Sequence, residues 1–282
     1  MTRIFFLLPS LVLCLAAGGN AHAQEFMTLG ATRSTELSGL LDYALPIFQA
    51  ASNLSVHVVA IDRGQTIAIG ERGDAEALLL ADRPAEDKIM ADGYGVIRSD
   101  AIYSDFVIVG PGSDPAGIRG ASDAGKAFAL IAAKGALFAS RGDGSGVNRR
   151  ELRLWKSVGA EPNAQTAWYR TTGQGMEATL DLSATMNAYT LADRATWANF
   201  KNRKTLEVLT AGDPALFNVY GSIVISPDKW PQIKLTYARI WHGWLTDKHG
   251  AAAITSYKIN GEQIFFPCQG GALATCRSAS KE

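Results

Sequence analysis

The chain has no excess charge of either sign. Its 27 Lys and Arg face 27 Asp and Glu, for a formal net charge of +0 at pH 7. Such a balance creates no field to draw in nucleic acid or an acidic membrane surface. Cysteine is scarce, with three in 282 residues. Too few metal-ligating side chains lie near Cys268 and Cys276 to complete a zinc site. Beyond the first residues no apolar run approaches the length needed to span a bilayer. Internal repeats and low-complexity linkers are absent as well. A chain of this length buries a good core as one large domain or two smaller ones, and two lobes here would be joined by strands rather than a tether.

The N-terminus is apolar. MTRIFFLLPSLVLCLAAGGNAHA has one cation at Arg3, an apolar stretch from Ile4 to Ala17, and Ala-His-Ala at 21–23. That pattern is a secretory signal with an A-x-A cleavage site, so residues 1–23 are expected to be removed and the mature protein exported. In an oxidising compartment Cys268 and Cys276 are expected to form a small-loop disulfide, worth roughly 2–3 kcal/mol.

Strand-like and helix-like stretches alternate. Residues 54–61, 77–80, 106–109, 136–139 and 221–225 read as strands. Ser38–Ala51 sets Leu41, Leu45 and Phe48 on one helical stripe, and Leu235–Leu245 does the same with Ala238, Trp241 and Leu245. Alternation of this kind predicts an α/β fold with largely parallel sheets, whose ligands bind at the carboxyl ends of strands beside helix N-termini. Three small-residue turns occupy that position: TRST at 32–35, SRGDGSG at 140–146 and TTGQGM at 171–176. Converging, they would concentrate amide donors and positive dipole ends into an anion site with little formal charge.

SRGDGSG admits several chemistries. A P-loop requires Gly-Lys-Ser/Thr, and there is no lysine. A nucleophile elbow requires glycine two residues before the serine, where Asp143 stands. Nothing in the sequence ties His57, His242 or His249 to Ser145 as a base, so a secreted serine hydrolase is the weakest reading. A calcium loop requires alternating carboxylates, and only Asp143 is available. An anion site gains from the donor fork of Arg141 and the hydroxyl of Ser145 beside the amides of a helix start. A plain surface turn that opens a helix remains the alternative.

Seven segments in order give these turns a family context. They are LGATRSTELSGLLDYALPIF (29–48), GQTIAIGERGDAEALL (64–79), DFVIVGPGSDPAGI (105–118), SRGDGSG (140–146), WYRTTGQGM (168–176), AYTLADR (188–194) and GDPALFNVYG (212–221). Through them the chain resembles the tungstate-specific substrate-binding proteins of ABC importers over most of its length. The resemblance implies a two-lobed type II periplasmic binding protein, each lobe a mostly parallel sheet flanked by helices, with two crossover strands at the hinge. The expected division places 24–105 plus 225–282 in one lobe and 106–224 in the other. It also implies an oxyanion, tungstate or molybdate, as ligand and an ABC-importer permease as partner. The protein would be a monomer with no catalytic residues, no cofactor and no metal cation.

The family's ligand motifs carry over unevenly. Its run of threonines and a serine is here Ala31-Thr32-Arg33-Ser34, so Thr32 and Ser34 remain donors and Arg33 stands in for a threonine. Its second motif, Ser-Arg-Gly-Asp-Asp-Ser-Gly-Thr-His, keeps Arg141, Asp143, Ser145 and Gly146 but has Gly144, Val147 and Asn148 at the other places. At Val147 the amide remains and the hydroxyl is lost. Arg194 is a further candidate cation, with pairing to a nearby carboxylate as its alternative role. The turn also resembles that of phosphate-binding receptors, in which the aspartate accepts the phosphate proton. Phosphate is therefore the alternative ligand, and an oxyanion sensor the alternative role.

Overall fold

The computed structural model describes residues 25–268. The expected signal segment lies outside them, as does Cys276; Cys268 is buried at the end of the described chain. Among the described residues no helix is long and apolar enough to cross a membrane.

The first lobe begins with strand β1 (Phe26–Thr32), short helix α1 (Arg33–Leu37) and helix α2 (Leu40–Ser52). Strand β2 (Ser55–Ile61), helix α3 (Arg63–Glu71), strand β3 (Ala77–Leu80) and helix α4 (Arg83–Ala91) follow. β1 pairs in parallel with β2 on one side and β3 on the other, which sets Thr32 beside Ile61 and Ala31 beside Leu79. The all-apolar ALLL of β3 is buried on both faces, as a central strand covered by helices requires. Within β1 the sheet requires a glycine: a Cβ at Gly30 would lie 2.7 Å from the Leu78 side chain and 2.9 Å from Ile69.

Strand β4 (Gly95–Pro111) links the lobes. Its first part, through Asp105, pairs antiparallel with a later strand that returns to the first sheet; from Phe106 onward it joins a second sheet. The second lobe follows with α5 (Ala124–Lys134), β5 (Phe138–Ser140), α6 (Gly146–Ser157), β6 (Tyr169–Thr171) and α7 (Met176–Met186). It finishes with β7 (Thr190–Asp193), α8 (Arg194–Asn199) and β8 (Leu206–Thr210). β5 and β6 are parallel, while β7 and β8 flank the second part of β4 antiparallel. Its core is aromatic: the Trp155 ring lies 4.3 Å from Phe128 and 5.1 Å from Phe138. Trp155 and Trp197 are buried and Trp168 packs against the same cluster, as side chains that fill space.

The return crossing is strand β9 (Phe217–Ile225), which pairs along its whole length with the first part of β4 and in part with β3. Residues from Phe217 onward, within the stretch 106–224 expected in the second lobe, already pair with the first part of β4. Helices α9 (Leu235–Thr246) and α10 (Lys248–Ser256) close that lobe, with Trp241 and Trp244 about Phe48 of α2 at 5.2 and 5.3 Å. A small hairpin of β10 (Lys258–Ile259) and β11 (Glu262–Gln263) precedes β12 (Phe266–Pro267), the far edge of the sheet beside β4. The two crossover strands pair antiparallel and the outlying β1·β2, β1·β3 and β5·β6 pairs are parallel. Crossovers that enter from the other lobe are not held to the parallel βαβ path.

Two buried carboxylates fix the elements around the cleft. At the junction of β4, Asp105 accepts from Arg194 of α8 at 2.5 Å (Nε) and 2.6 Å (Nη2). The bond raises the pKa of Arg194 despite its burial. Glu151 of α6 lies in the second core and accepts from Ser140 of β5 (2.7 Å), Tyr169 of β6 (2.6 Å) and Trp155 (3.1 Å). One carboxylate thus ties the last residue of β5 and the first of β6 to the first turns of α6. Burial raises its pKa, against the pull of those donors.

Arg194→Ala leaves Asp105 buried and unpaired and is expected to cost about 3 kcal/mol in urea unfolding. Glu151→Ala strands three buried donors and is expected to cost about 3–5 kcal/mol. Glu151→Gln should be milder and should carry a pH signature. A carboxyl whose native pKa lies above the ordinary glutamate value of 4.5 takes its proton earlier in the folded state. The wild type should therefore gain stability over Glu151→Gln as pH falls from neutral toward that value. A difference that is flat or reversed over this range would show that the buried carboxyl is not perturbed upward.

Candidate functional site

The glycine-rich turn leads from β5 into α6. Gly142 and Gly144 have φ of +61° and +69°, a left-handed region that costs L side chains about 1–2 kcal/mol. At Gly142 a Cβ would also meet the Thr171 side chain at 2.9 Å, whereas Gly144 faces open space. Between them Asp143 organises the turn. Its Oδ2 accepts from Arg141 Nε (3.0 Å) and Nη2 (2.6 Å), and its Oδ1 accepts from the Ser145 amide at 3.0 Å. Partial burial opposes its charge, but the bonds from Ser145 and the charge of Arg141 outweigh it and lower the pKa. Asp143 is thus an ionised brace for Arg141 with both oxygens engaged.

Ser145 is the N-cap of α6, its hydroxyl accepting from the Asn148 amide at 3.3 Å. Asn148, substituted relative to the family motif, is buried and accepts from the Gly144 amide at 3.0 Å. Its side chain therefore staples the turn that it follows. The amides of Gly146 and Val147 lie at the helix start, where no intrahelical acceptor exists, and remain donors. The Val147 side chain is buried in the second-lobe core. Of the histidines, His242 bonds Ser99 and Ser222, and His57 stacks on Phe26.

The third turn lies against the second. The Thr172 amide donates to Ser140 O at 2.9 Å and the Gly173 amide to Arg141 O at 2.8 Å, just before α7. In the first lobe Thr32 ends β1, its hydroxyl 3.0 Å from that of Ser34 and 2.8 Å from that of buried Thr35. Arg33 is exposed. α1 has only five residues, so what this turn offers an anion is hydroxyls more than a helix dipole. Arg194 is committed to Asp105 and, at 3.5 Å, Glu262, and neither belongs to the 140–147 turn.

The structure adds residues that the sequence reading did not single out. Asp82, the N-cap of α4, accepts from Arg63 at the start of α3. Across the cleft, Arg149 of α6 approaches the same oxygen at 3.4 Å. Arg149 also donates to Gly144 O, so it joins the glycine-rich turn to the first lobe. Next to this contact is a cavity of about 310 Å³, lined by Asp82, Arg83, Gly146, Arg149, Arg150 and Arg153 among others. Burial, then the nearby Arg63, lowers the pKa of Arg149; burial and the nearby Arg153 bring Arg150 to about 10. Two sequence signals were available. Asp-Arg occurs at both 62–63 and 82–83 after a strand, and arginines at 149, 150 and 153 share one face of α6. The arrangement holds amides, hydroxyls and guanidinium groups about a cleft between lobes, and can receive an anion.

Comparison with known proteins agrees with this architecture. A family model described as a PBP superfamily domain matches residues 17–248. The tungstate-binding protein TupA of Peptoclostridium acidaminophilum is 36% identical over 250 residues, 87% of this chain and 87% of that protein. Among solved structures, TupA from Desulfovibrio alaskensis G20 is 34% identical with a TM-score of 0.82, covering 86% of this chain and 98% of that one. A tungstate ABC transporter protein from Geobacter sulfurreducens is 44% identical with a TM-score of 0.73, covering 83% and 100%. With a two-lobed fold and matches of this extent, the chain belongs to the PBP superfamily and, within it, to the family of the TupA proteins.

Proposed function

We propose that this protein is an exported solute receptor that captures a tetrahedral dianion, tungstate or its near-twin molybdate, and delivers it to the permease of an ABC importer. The observation that carries this reading is the 140–147 turn. Arg141 is braced by ionised Asp143 beside the unpartnered amide donors that open α6, and Arg149 brings the same helix against the strand ends that carry Thr32. Such donors, fixed before the ligand arrives, replace its hydration shell without reorganising. The tungstate-binding relatives support the choice of ion.

In this reading the lobes, residues 24–105 with about 217–282 and 106–216, close over the anion about β4 and the start of β9. Thr32, Arg33 and Ser34 come from one side, and Arg141, Ser145, Gly146 and Val147 from the other. Closure is selected because only the closed form lets the ligand touch both lobes. Arg194 holds the hinge through Asp105. The protein acts as a periplasmic monomer after loss of residues 1–23, with Cys268 paired to Cys276. Capture involves no chemistry on the ligand, since the Ser145 hydroxyl serves as a helix cap. Phosphate is the alternative ligand: Asp143 Oδ2 already accepts twice from Arg141, while Oδ1 accepts once, from the Ser145 amide, and has room for a phosphate proton.

Calorimetric titration of the mature, ligand-free protein with tungstate, molybdate, sulfate and phosphate tests the reading. One-to-one binding of tungstate is expected. Arg141→Ala should weaken it by roughly 10- to 100-fold, the range for a lost charge-assisted bond of about 1.5–3 kcal/mol. Binding of phosphate alone, or of none of the four, would remove tungstate as the ligand.

A further inference from the structure

The contact between Asp82 and the two arginines places a negative charge beside the turn at 140–147. Arg63 belongs to the first lobe and Arg149 to the second, and both direct a guanidinium at Asp82 Oδ2. The Asp82 side chain is only 11% exposed, while the arginines are 37% and 25% exposed, so the carboxylate is the inner member of the trio. Its other oxygen, Oδ1, caps α4 by accepting from the Ala85 amide at 3.3 Å. Two cations that repel one another are thus held together by a single negative charge that the protein supplies. Arg149 lies one turn from the Gly146 and Val147 amides and donates to Gly144 O, so an anion held by that turn comes within reach of the same guanidinium.

We infer that Arg63 and Arg149 are ligand-binding residues contributed by opposite lobes, and that Asp82 is a resident carboxylate which the incoming anion displaces from them. The inference rests on the oxyanion reading above and names what the cleft selects. A monoanion exchanging with Asp82 replaces one negative charge by another and gains little. A tetrahedral dianion brings twice the charge, and its four oxygens can meet both guanidinium groups and the helix amides together. The displaced carboxylate keeps its cap bond to Ala85 and stays close, ready to recover the arginines when the lobes reopen. The internal competitor sets a threshold that every anion must exceed, and the difference between ions comes from how strongly each meets the two arginines.

Tungstate and perrhenate separate charge from shape, because both are tetrahedral four-oxygen ions of nearly equal size and perrhenate carries one charge fewer. The wild type is expected to bind perrhenate at least about 100-fold more weakly than tungstate. Asp82→Asn retains a side-chain oxygen to cap Ala85 and removes the charge. It should tighten both ions by at least about tenfold, tungstate no less than perrhenate, because a carboxylate that stays beside the arginines repels the dianion more. Asp92→Asn, the same change at the far end of α4 and away from the cleft, should leave both affinities alone. Affinities unchanged in Asp82→Asn overturn the inference, as does wild-type protein that binds both ions equally. If the wild type binds neither ion, the oxyanion reading has failed, and the role of Asp82 is decided by X-ray scattering of the ligand-free proteins. With their counter-charge removed, Arg63 and Arg149 repel, and Asp82→Asn should show a larger radius of gyration than wild type. Equal radii would then overturn it.

Discussion

Glu151 is the group on which the binding turn depends. It is buried, its ordinary carboxylate pKa pushed upward, yet donors from β5, β6 and its own helix converge on it. A protein accepts such a burial cost where the bonds fix something that apolar packing leaves loose. Here they fix the angle between the last residue of β5 and the first turn of α6. The glycines between those points permit the bend but do not specify it. Asn148 and Asp143 then set the rest of the turn from within, through the amides of Gly144 and Ser145. Arg141 is therefore held in a conformation already chosen, which on the reading proposed above keeps the entropy of binding small.

The net charge of zero conceals a strong local pattern. Three strands of the first sheet end side by side, and the helix after each begins with an arginine: Arg33 after β1, Arg63 after β2 and Arg83 after β3. The facing helix of the other lobe presents Arg149, Arg150 and Arg153. Aspartates lie among them, with Asp82 on Arg63 and Arg149, Asp143 on Arg141, and Asp100 on Arg98. Overall charge therefore says little about affinity for anions, since each acid is itself placed to hold a cation in position.

Much of this was legible in the sequence, for identifiable reasons. ALLL at 77–80 is uniformly apolar, and the structure gives β3 those bounds. The turn at 140–146 combines glycines with a capping serine ahead of an amphipathic run, and α6 starts at Gly146. β4 was read only at 106–109 because its earlier part, RSDAIYSD, breaks the apolar pattern. Asp100 and Asp105 are buried there by virtue of Arg98 and Arg194, partners that periodicity does not reveal. Arg149 and Asp82 were missed for the same reason. They meet across a cleft and are far apart in the chain, so only the fold brings them together.

Val147 shows how such a site changes while the fold persists. Where the family motif has a threonine, this side chain is buried in the second-lobe core, so the substitution exchanges a hydroxyl for apolar packing and keeps the amide at the helix start. A hydroxyl donor offers one short, directional bond, and a guanidinium offers several bonds with charge. Arg33 replaces another threonine of the family pattern, and Arg63 and Arg149 stand at the cleft as well. A cleft that gives up hydroxyls and relies on arginines reads charge more strongly than size. On the reading proposed above, Asp143 then holds its arginine in place while Asp82 occupies Arg63 and Arg149 until an anion of sufficient charge competes for them.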